Sequence, residues 1–189
     1  MILHGTDVGE GPPAILLHGL FGTANNFASI QKRLAVGRRM LAFDLRNHGR
    51  SAHDPAMTYA LMAQDVIDTL RAHGLERAAL VGHSMGGKVA MHAALRTPDR
   101  VTRLLVADIA PVAYPPRYRA ISEAMLSLPL RADLTRAGAE RWLSEAVPDP
   151  AVRSFLLSNL RFGTNSAWRI GLPEIAAALP EIEGWSAGG

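Results

Sequence analysis

No cysteine occurs among the 189 residues, which excludes a disulfide-stapled secreted scaffold and agrees with a cytoplasmic location. Nowhere does an apolar run approach the roughly 18 consecutive residues that a membrane span needs. The N-terminal Met1-Ile2-Leu3-His4-Gly5-Thr6-Asp7 lacks the charged start and long apolar centre of a secretory signal. Lysine is scarce, and the formal charge of +3 rests almost entirely on arginine. Those arginines are scattered, and the clusters Arg38-Arg39 and Arg117 with Arg119 are short. Charge spread in this way describes a solvated surface and argues against a nucleic-acid partner. Internal repeats and low-complexity tracts are also missing. What is present is an ordinary globular composition, 48% hydrophobic and 20% charged, on a chain long enough for one well-packed domain.

From the N-terminus to about Pro111, short apolar runs alternate with helical segments. Ala14-Ile15-Leu16-Leu17, Met40-Leu41-Ala42-Phe43, Ala78-Ala79-Leu80-Val81 and Val101 to Ala107 read as buried strands. Between them, Asn25 or Asn26 caps a helix running to about Leu34. Thr58 caps a second helix from Tyr59 to His73 that stops at Gly74, and a third runs from about Met85 to Arg96. Continuous apolar strands separated by helices imply a mostly parallel sheet covered on both faces, an α/β fold. After Pro111 only helix and loop are expected, with helices at Arg117 to Leu128, Thr135 to Glu145, Pro150 to Leu160 and Leu172 to Leu179. The expected organisation is therefore an α/β core over 1–111 and a helical lid or subdomain over 112–189. Within the latter, the tail Ser186-Ala187-Gly188-Gly189 carries no folding pattern.

Val81-Gly82-His83-Ser84-Met85-Gly86-Gly87 fits G-x-S-x-G at the place where that pattern has mechanical meaning, after an apolar strand and at the start of a helix. A tight strand-to-helix turn lifts the Ser84 hydroxyl above the sheet edge. It also sets the amide of Met85 at a helix N-terminus, where it suits a developing oxyanion. A second glycine element, His18-Gly19-Leu20-Phe21-Gly22, follows the strand Ala14 to Leu17. It offers the other oxyanion donor, the amide of Leu20, with that of Phe21 as the alternative. His18 itself reads as a packing or hydrogen-bonding residue of that loop, with a catalytic role as the competing reading. A dinucleotide-binding fold is excluded, because no G-x-G-x-x-G follows the first strands.

These residues, together with Asp44-Leu45-Arg46-Asn47-His48-Gly49-Arg50-Ser51 and Ala107-Asp108-Ile109-Ala110-Pro111-Val112, resemble the α/β-hydrolase superfamily and within it a bacterial esterase and acyl-thioesterase branch. The resemblance runs over nearly the whole chain. It implies a helical lid, Ser84 as nucleophile, and a small-molecule ester or thioester substrate hydrolysed without metal or cofactor. It also implies a carboxylate that orients a catalytic histidine. Asp108, after the strand Val101 to Ala107, occupies one position for that acid, with capping of the turn into the lid as its other role. Asp44 is expected to hold the loop from Arg46 to Ser51 in shape.

Members of the family continue past the lid with two more strand-helix units that carry the histidine, and the expectation here is a C-terminally truncated hydrolase. His4, His18, His48, His53, His73, His83 and His92 all precede the lid. None is a convincing triad member: His83 points away from its neighbour's hydroxyl, and His92 lies two helical turns along. An incomplete product of weak activity, a hydrolase completed by a second chain, and a non-catalytic acyl-binding protein are the three readings that follow. An unpaired edge on the strand Val101 to Ala107 also invites self-association. Lid residues Met125, Leu126, Trp142, Phe155 and Trp168 are candidates for an acyl pocket, or else simply the lid's own core.

Overall fold

In the computed structural model, which describes residues 1–186, five strands form one sheet in the order β1-β3-β2-β4-β5. They are β1 Gly5–Val8, β2 Pro13–Leu17, β3 Arg39–Phe43, β4 Ala78–His83 and β5 Val101–Ala107. β1 runs antiparallel to β3, and every other pairing is parallel. Leu16 faces Ala42 on one side and Val81 on the other, and Val81 in turn faces Leu105. The polar strand Gly5-Thr6-Asp7-Val8 was not expected from its sequence. An edge strand that pairs through its backbone has no need of an apolar signature.

Alternation along the strands divides the side chains between two faces. Ile15, Leu17, Leu41, Phe43 and Leu80 point into the main core, with α2 (Tyr59–Ala72) and α3 (Met85–Arg96). Ala14, Leu16, Met40 and Ala42 point the other way and are covered by Phe27 and Ala35, at the two ends of α1 (Ala28–Leu34). That second face is thinly covered. A groove of about 530 Å³ runs along it between Leu34, Met40, Val81, Leu104 and Leu105, and Leu105 is 54% exposed.

Caps explain the helix starts. The Thr58 hydroxyl accepts the Leu61 amide at 3.2 Å, and α2 ends just before Gly74, whose φ of +68° only glycine adopts readily. The first helix starts differently from expectation. Thr23, not Asn25, opens it, its amide donating to Asn26 Oδ1 at 2.6 Å across a 3-10 turn, Ala24–Phe27. Beneath α2 lies a buried ion pair. Arg46 Nε and Nη2 donate to Asp65 at 2.7 and 3.0 Å, and the Met1 ammonium reaches the same carboxylate at 2.6 Å.

The region after Pro111 holds α4 Arg119–Leu126, α5 Arg136–Leu143, α6 Pro150–Leu157, α7 Leu172–Ala177 and α8 Leu179–Glu183. Thr135 and Asp149 cap α5 and α6 through their side chains. Two expectations are corrected here. This region is not purely helix and loop, because β6 Leu160–Arg161 pairs antiparallel with β7 Ala167–Trp168. Two-residue strands are too short to show a periodicity. The single helix expected from Leu172 to Leu179 is instead two short ones, with Pro180 unable to continue the first. Met125, Leu143, Leu156, Leu157 and Ile175 join the sheet's core in one continuous cluster. Of the tail, residues 187–189 lie outside the described residues.

Candidate active site

Four non-glycine residues adopt positive φ: Phe21 (+59°), Asn47 (+64°), Ser84 (+51°) and Asp108 (+58°). One follows each of the four parallel strands, at the C-terminal ends where ligands of open α/β sheets bind. Such backbone states lie about 1–3 kcal/mol above ordinary ones and persist only where surroundings enforce them. At Ser84 (φ 51°, ψ −122°) the enforcement is steric. A β-carbon on Gly82 would strike the backbone of Gly86, and one on Gly86 would strike the Leu17 carbonyl. The Ser84 amide donates to Ala107 O at 2.9 Å, and its carbonyl accepts the amides of Gly87 and Lys88 at 2.8 and 3.2 Å. Met85, first residue of α3, is left with an amide that has no intrahelical acceptor.

The loop His18–Gly22 packs directly on this turn. A β-carbon at Gly19 would stand 3.2 Å from that of Ser84. Two buried imidazoles shape the loop. His18 Nε2 accepts the Leu45 amide at 2.9 Å, so its Nδ1 carries the proton donated to Gly19 O at 2.8 Å. His48 Nε2 accepts the Phe21 amide at 3.2 Å, and its Nδ1 donates to Arg46 O at 2.9 Å. Burial pushes the His18 pKa down to about 4 and that of His48 to about 3, so both are neutral near pH 7. Both ring nitrogens of His18 are thus spent on hydrogen bonds within and beneath the loop. Of the two donor candidates, Phe21 has its amide taken by His48, and Leu20 lines the same cleft as Ser84.

Asp44 accepts the amides of Ala24 and Arg50 at 2.7 and 2.9 Å and lies 3.2 Å from His4 Nδ1, so it braces the loop from Arg46 to Ser51. Asp108 is different. Its side chain is 84% exposed, and its Oδ2 lies 3.6 Å from His83 Nε2. Among the described residues no histidine hydrogen-bonds Ser84. His92 stacks on Tyr59 at 5.3 Å, and His4 and His73 face Asp44 and Asp7.

Ser84, His83 and Asp108 open on a cleft of about 600 Å³ between the Gly19–Gly22 loop and the lid. Its far wall is apolar: Phe27, Ile121, Val152, Phe155 and Leu156. Of the five lid residues named from sequence, only Phe155 lines it. Met125 is in the core, Trp168 Nε1 donates to Met125 O at 3.2 Å, and Trp142 stands half-exposed with Nε1 3.4 Å from Ser127 Oγ. Leu126 borders a separate groove with Arg119 and Leu179. Helical spacing marks which lid residues are apolar and leaves open which side of the lid they face.

On the other side of Ser84 is a recess of about 20 Å³ that includes Met85, Lys88 and Tyr118. Lys88 is almost fully buried; its Nζ donates to Gly184 O at 2.5 Å and sits over the Tyr59 and Tyr114 rings. Burial, with the Arg117 charge added, lowers its pKa. Sequence reasoning passed over Lys88, Tyr118 and Asn159, whose parts depend on contacts with residues more than thirty positions away.

A parallel sheet with a left-handed serine between strand and helix, faced by a glycine loop and roofed by a helical lid, defines a class of sheet hydrolases. The comparisons agree: the profile of the alpha/beta hydrolase fold matches residues 12–164, and the chain belongs to that family. It is similar to the sn-1-specific diacylglycerol lipase ABHD11 of Danio rerio, 40% identical over 186 residues, covering 94% of this chain and 59% of the relative. It is also similar to Esterase YbfF of Escherichia coli, 36% identical over 174 residues, covering 92% of this chain and 67% of the relative. A solved marine microorganism esterase superposes with a TM-score of 0.94 at 35% identity, covering 99% of this chain and 75% of that one. The chain spans under three fifths of the length of the diacylglycerol lipase relatives it matches. No helix among the described residues is long and apolar enough to cross a membrane.

Proposed function

We propose that this chain carries the acyl-transfer centre of a serine hydrolase acting on carboxylic esters, with acyl thioesters as the related substrate class. The observation that carries this reading is the left-handed Ser84, held between β4 and α3 against a glycine loop and opening on a cleft with an apolar wall. Similar proteins named as esterases and lipases support it. In the proposed reaction the Ser84 hydroxyl adds to the ester carbonyl. The negative charge that develops on the carbonyl oxygen is met by the amides of Leu20 and Met85, each worth roughly 3 kcal/mol in the transition state. Collapse expels the alcohol or thiol and leaves an acyl group on Ser84, and water then releases the acid. The wall of Phe27, Ile121, Val152 and Phe155 suits an apolar portion of the substrate.

The proton of Ser84 needs an acceptor. In this reading Asp108 would orient a catalytic histidine, yet among the described residues no histidine hydrogen-bonds Ser84, and Asp108 has only His83, 3.6 Å away, beside it. A serine hydroxyl without a neighbouring base is a poor nucleophile, so the proposal includes slow chemistry for the isolated chain. The same observation, with the outer edge of β5 unpaired among the described residues, favours a second reading: half of a hydrolase completed by another polypeptide, or an acyl-binding protein.

Intact-mass detection of fluorophosphonate labelling tests the first reading, with Ser84→Ala as the control and circular dichroism as the check on folding. One adduct per chain, absent in the variant, is the expected result. A folded chain that takes no label even at long exposure would mean that Ser84 is not activated in this chain alone, and would leave the second reading.

A further inference from the structure

We infer that Asn159, in the lid, is a positioning residue for the oxyanion loop, so that this loop takes its working shape only when the lid is seated. The inference rests on the hydrolase reading above for its catalytic meaning, and its structural part stands by itself.

Phe21 has a left-handed backbone, and residues of its size hold that state only under restraint. The structure restrains it from both sides. Its amide donates to His48 Nε2 at 3.2 Å, and its carbonyl accepts Asn159 Nδ2 at 2.7 Å. His48 belongs to the loop after β3, whereas Asn159 follows α6 and is 138 residues from Phe21 in sequence. Asn159 is buried, at 2% exposure. Its second neighbour at hydrogen-bond distance is the Leu156 carbonyl, 3.3 Å away. Both being acceptors, the side chain must present its NH₂ to them, and the orientation is decided by chemistry. The residue is itself held: its own carbonyl accepts the Arg169 amide at 2.8 Å, next to the β6–β7 pair.

These bonds place a lid residue one peptide away from the donor beside Ser84. If the Phe21 carbonyl loses its partner, Phe21 can relax toward negative φ. The Leu20–Phe21 peptide then turns, and the Leu20 amide swings off its line to the reacting carbonyl. Donors of this kind act through preorganisation, and a misplacement of about 1 Å lowers the rate on the order of 100-fold. Asn159 touches no reacting atom; it acts through Phe21 and Leu20. The edge-to-face contact of Phe21 with Tyr118 of the lid, 6.3 Å between centroids, gives the same coupling a second point of contact.

The test compares the unmodified chain with Asn159→Leu, which keeps the volume and removes the donor, and Asn159→Ala, used if the leucine variant does not fold. The first measurement is the fluorophosphonate reaction resolved into a limiting rate and a half-saturation concentration. It is made at a temperature where dichroism shows both proteins folded. A fall of about 10- to 100-fold in the limiting rate with half-saturation unchanged is expected; a purely structural role would lower the reactive fraction and leave that rate alone. The second measurement needs no chemistry at Ser84: amide hydrogen exchange at Phe21, with Leu41 in β3 as the internal reference. Exchange at Phe21 at least ten times faster in the variant, with Leu41 unchanged, supports the clamp even if Ser84 proves unreactive. Equal exchange at Phe21 in both proteins overturns the inference, whatever the labelling shows.

Discussion

His18 and His48 accept backbone amides deep beneath the Ser84 loop, and this makes their protonation a matter of stability. In the unfolded chain both titrate near 6.5, whereas in the folded protein burial lowers them to about 4 and about 3. Above pH 6.5 both states are neutral and no difference arises. As pH falls from 6.5 toward 4, the unfolded chain takes up protons that the folded chain refuses, and stability drops. The loss approaches roughly 3–5 kcal/mol per residue once pH passes the folded value. Urea unfolding midpoints measured from pH 7 to pH 4 should decline steeply, and His48→Gln should flatten part of that slope. Steric fit at the serine turn gives a second expectation: Gly86→Ala drives a methyl group at the Leu17 carbonyl and should destabilise by about 2 kcal/mol or more. Thermal unfolding followed by dichroism checks it. At this scale the strained strand-to-helix turn at Ser84 was legible, because a glycine pattern states a backbone requirement directly. The occupation of the Phe21 amide by His48 was not, since it depends on a histidine 27 positions away that carries no signal of its own.

At the scale of elements, the strands β2 to β5, the capped helices α2, α5 and α6, and α3 after the serine turn were readable, because apolar runs, caps and glycine turns leave marks on consecutive residues. β1 and the β6–β7 pair were invisible, their formation depending on partners and not on their own patterns. The split between α7 and α8 was overlooked, although Pro180 announces it. The site's apolar wall lies between these cases: Phe155 was named, whereas Phe27, Ile121 and Val152 required the lid's orientation. One hidden element-to-element link carries a measurable energy. Asp65 on α2 holds both the Arg46 guanidinium and the Met1 ammonium away from solvent. Asp65→Asn leaves the buried Arg46 with only the half-exposed Asp54, 3.8 Å away, and should cost about 3 kcal/mol, read as a lowered denaturant midpoint with the slope unchanged.

Over the whole molecule, coverage is uneven. One face of the sheet is covered by α2, α3 and the lid, while the other exposes Leu105 on β5, an edge strand with no outer partner among the described residues. We propose that this edge drives association between copies of this chain. Sedimentation velocity over a hundredfold concentration range should show reversible growth beyond monomer, and Leu105→Lys should suppress it, since a lysine on an edge opposes strand pairing. A monomer at every concentration would discard the idea.

The lid begins and ends at one place. Glu183 Oε1 at the end of α8 accepts the amides of Arg117 and Tyr118 ahead of α4, at 2.6 and 3.0 Å, and Glu183 O accepts the Tyr114 amide at 2.8 Å. Tyr59 Oη from the core joins the same junction through Ile182 O at 2.6 Å. Fastened at this one junction, the residues between Tyr114 and Glu183 close on themselves like a purse, its drawstring tied to the core by Tyr59.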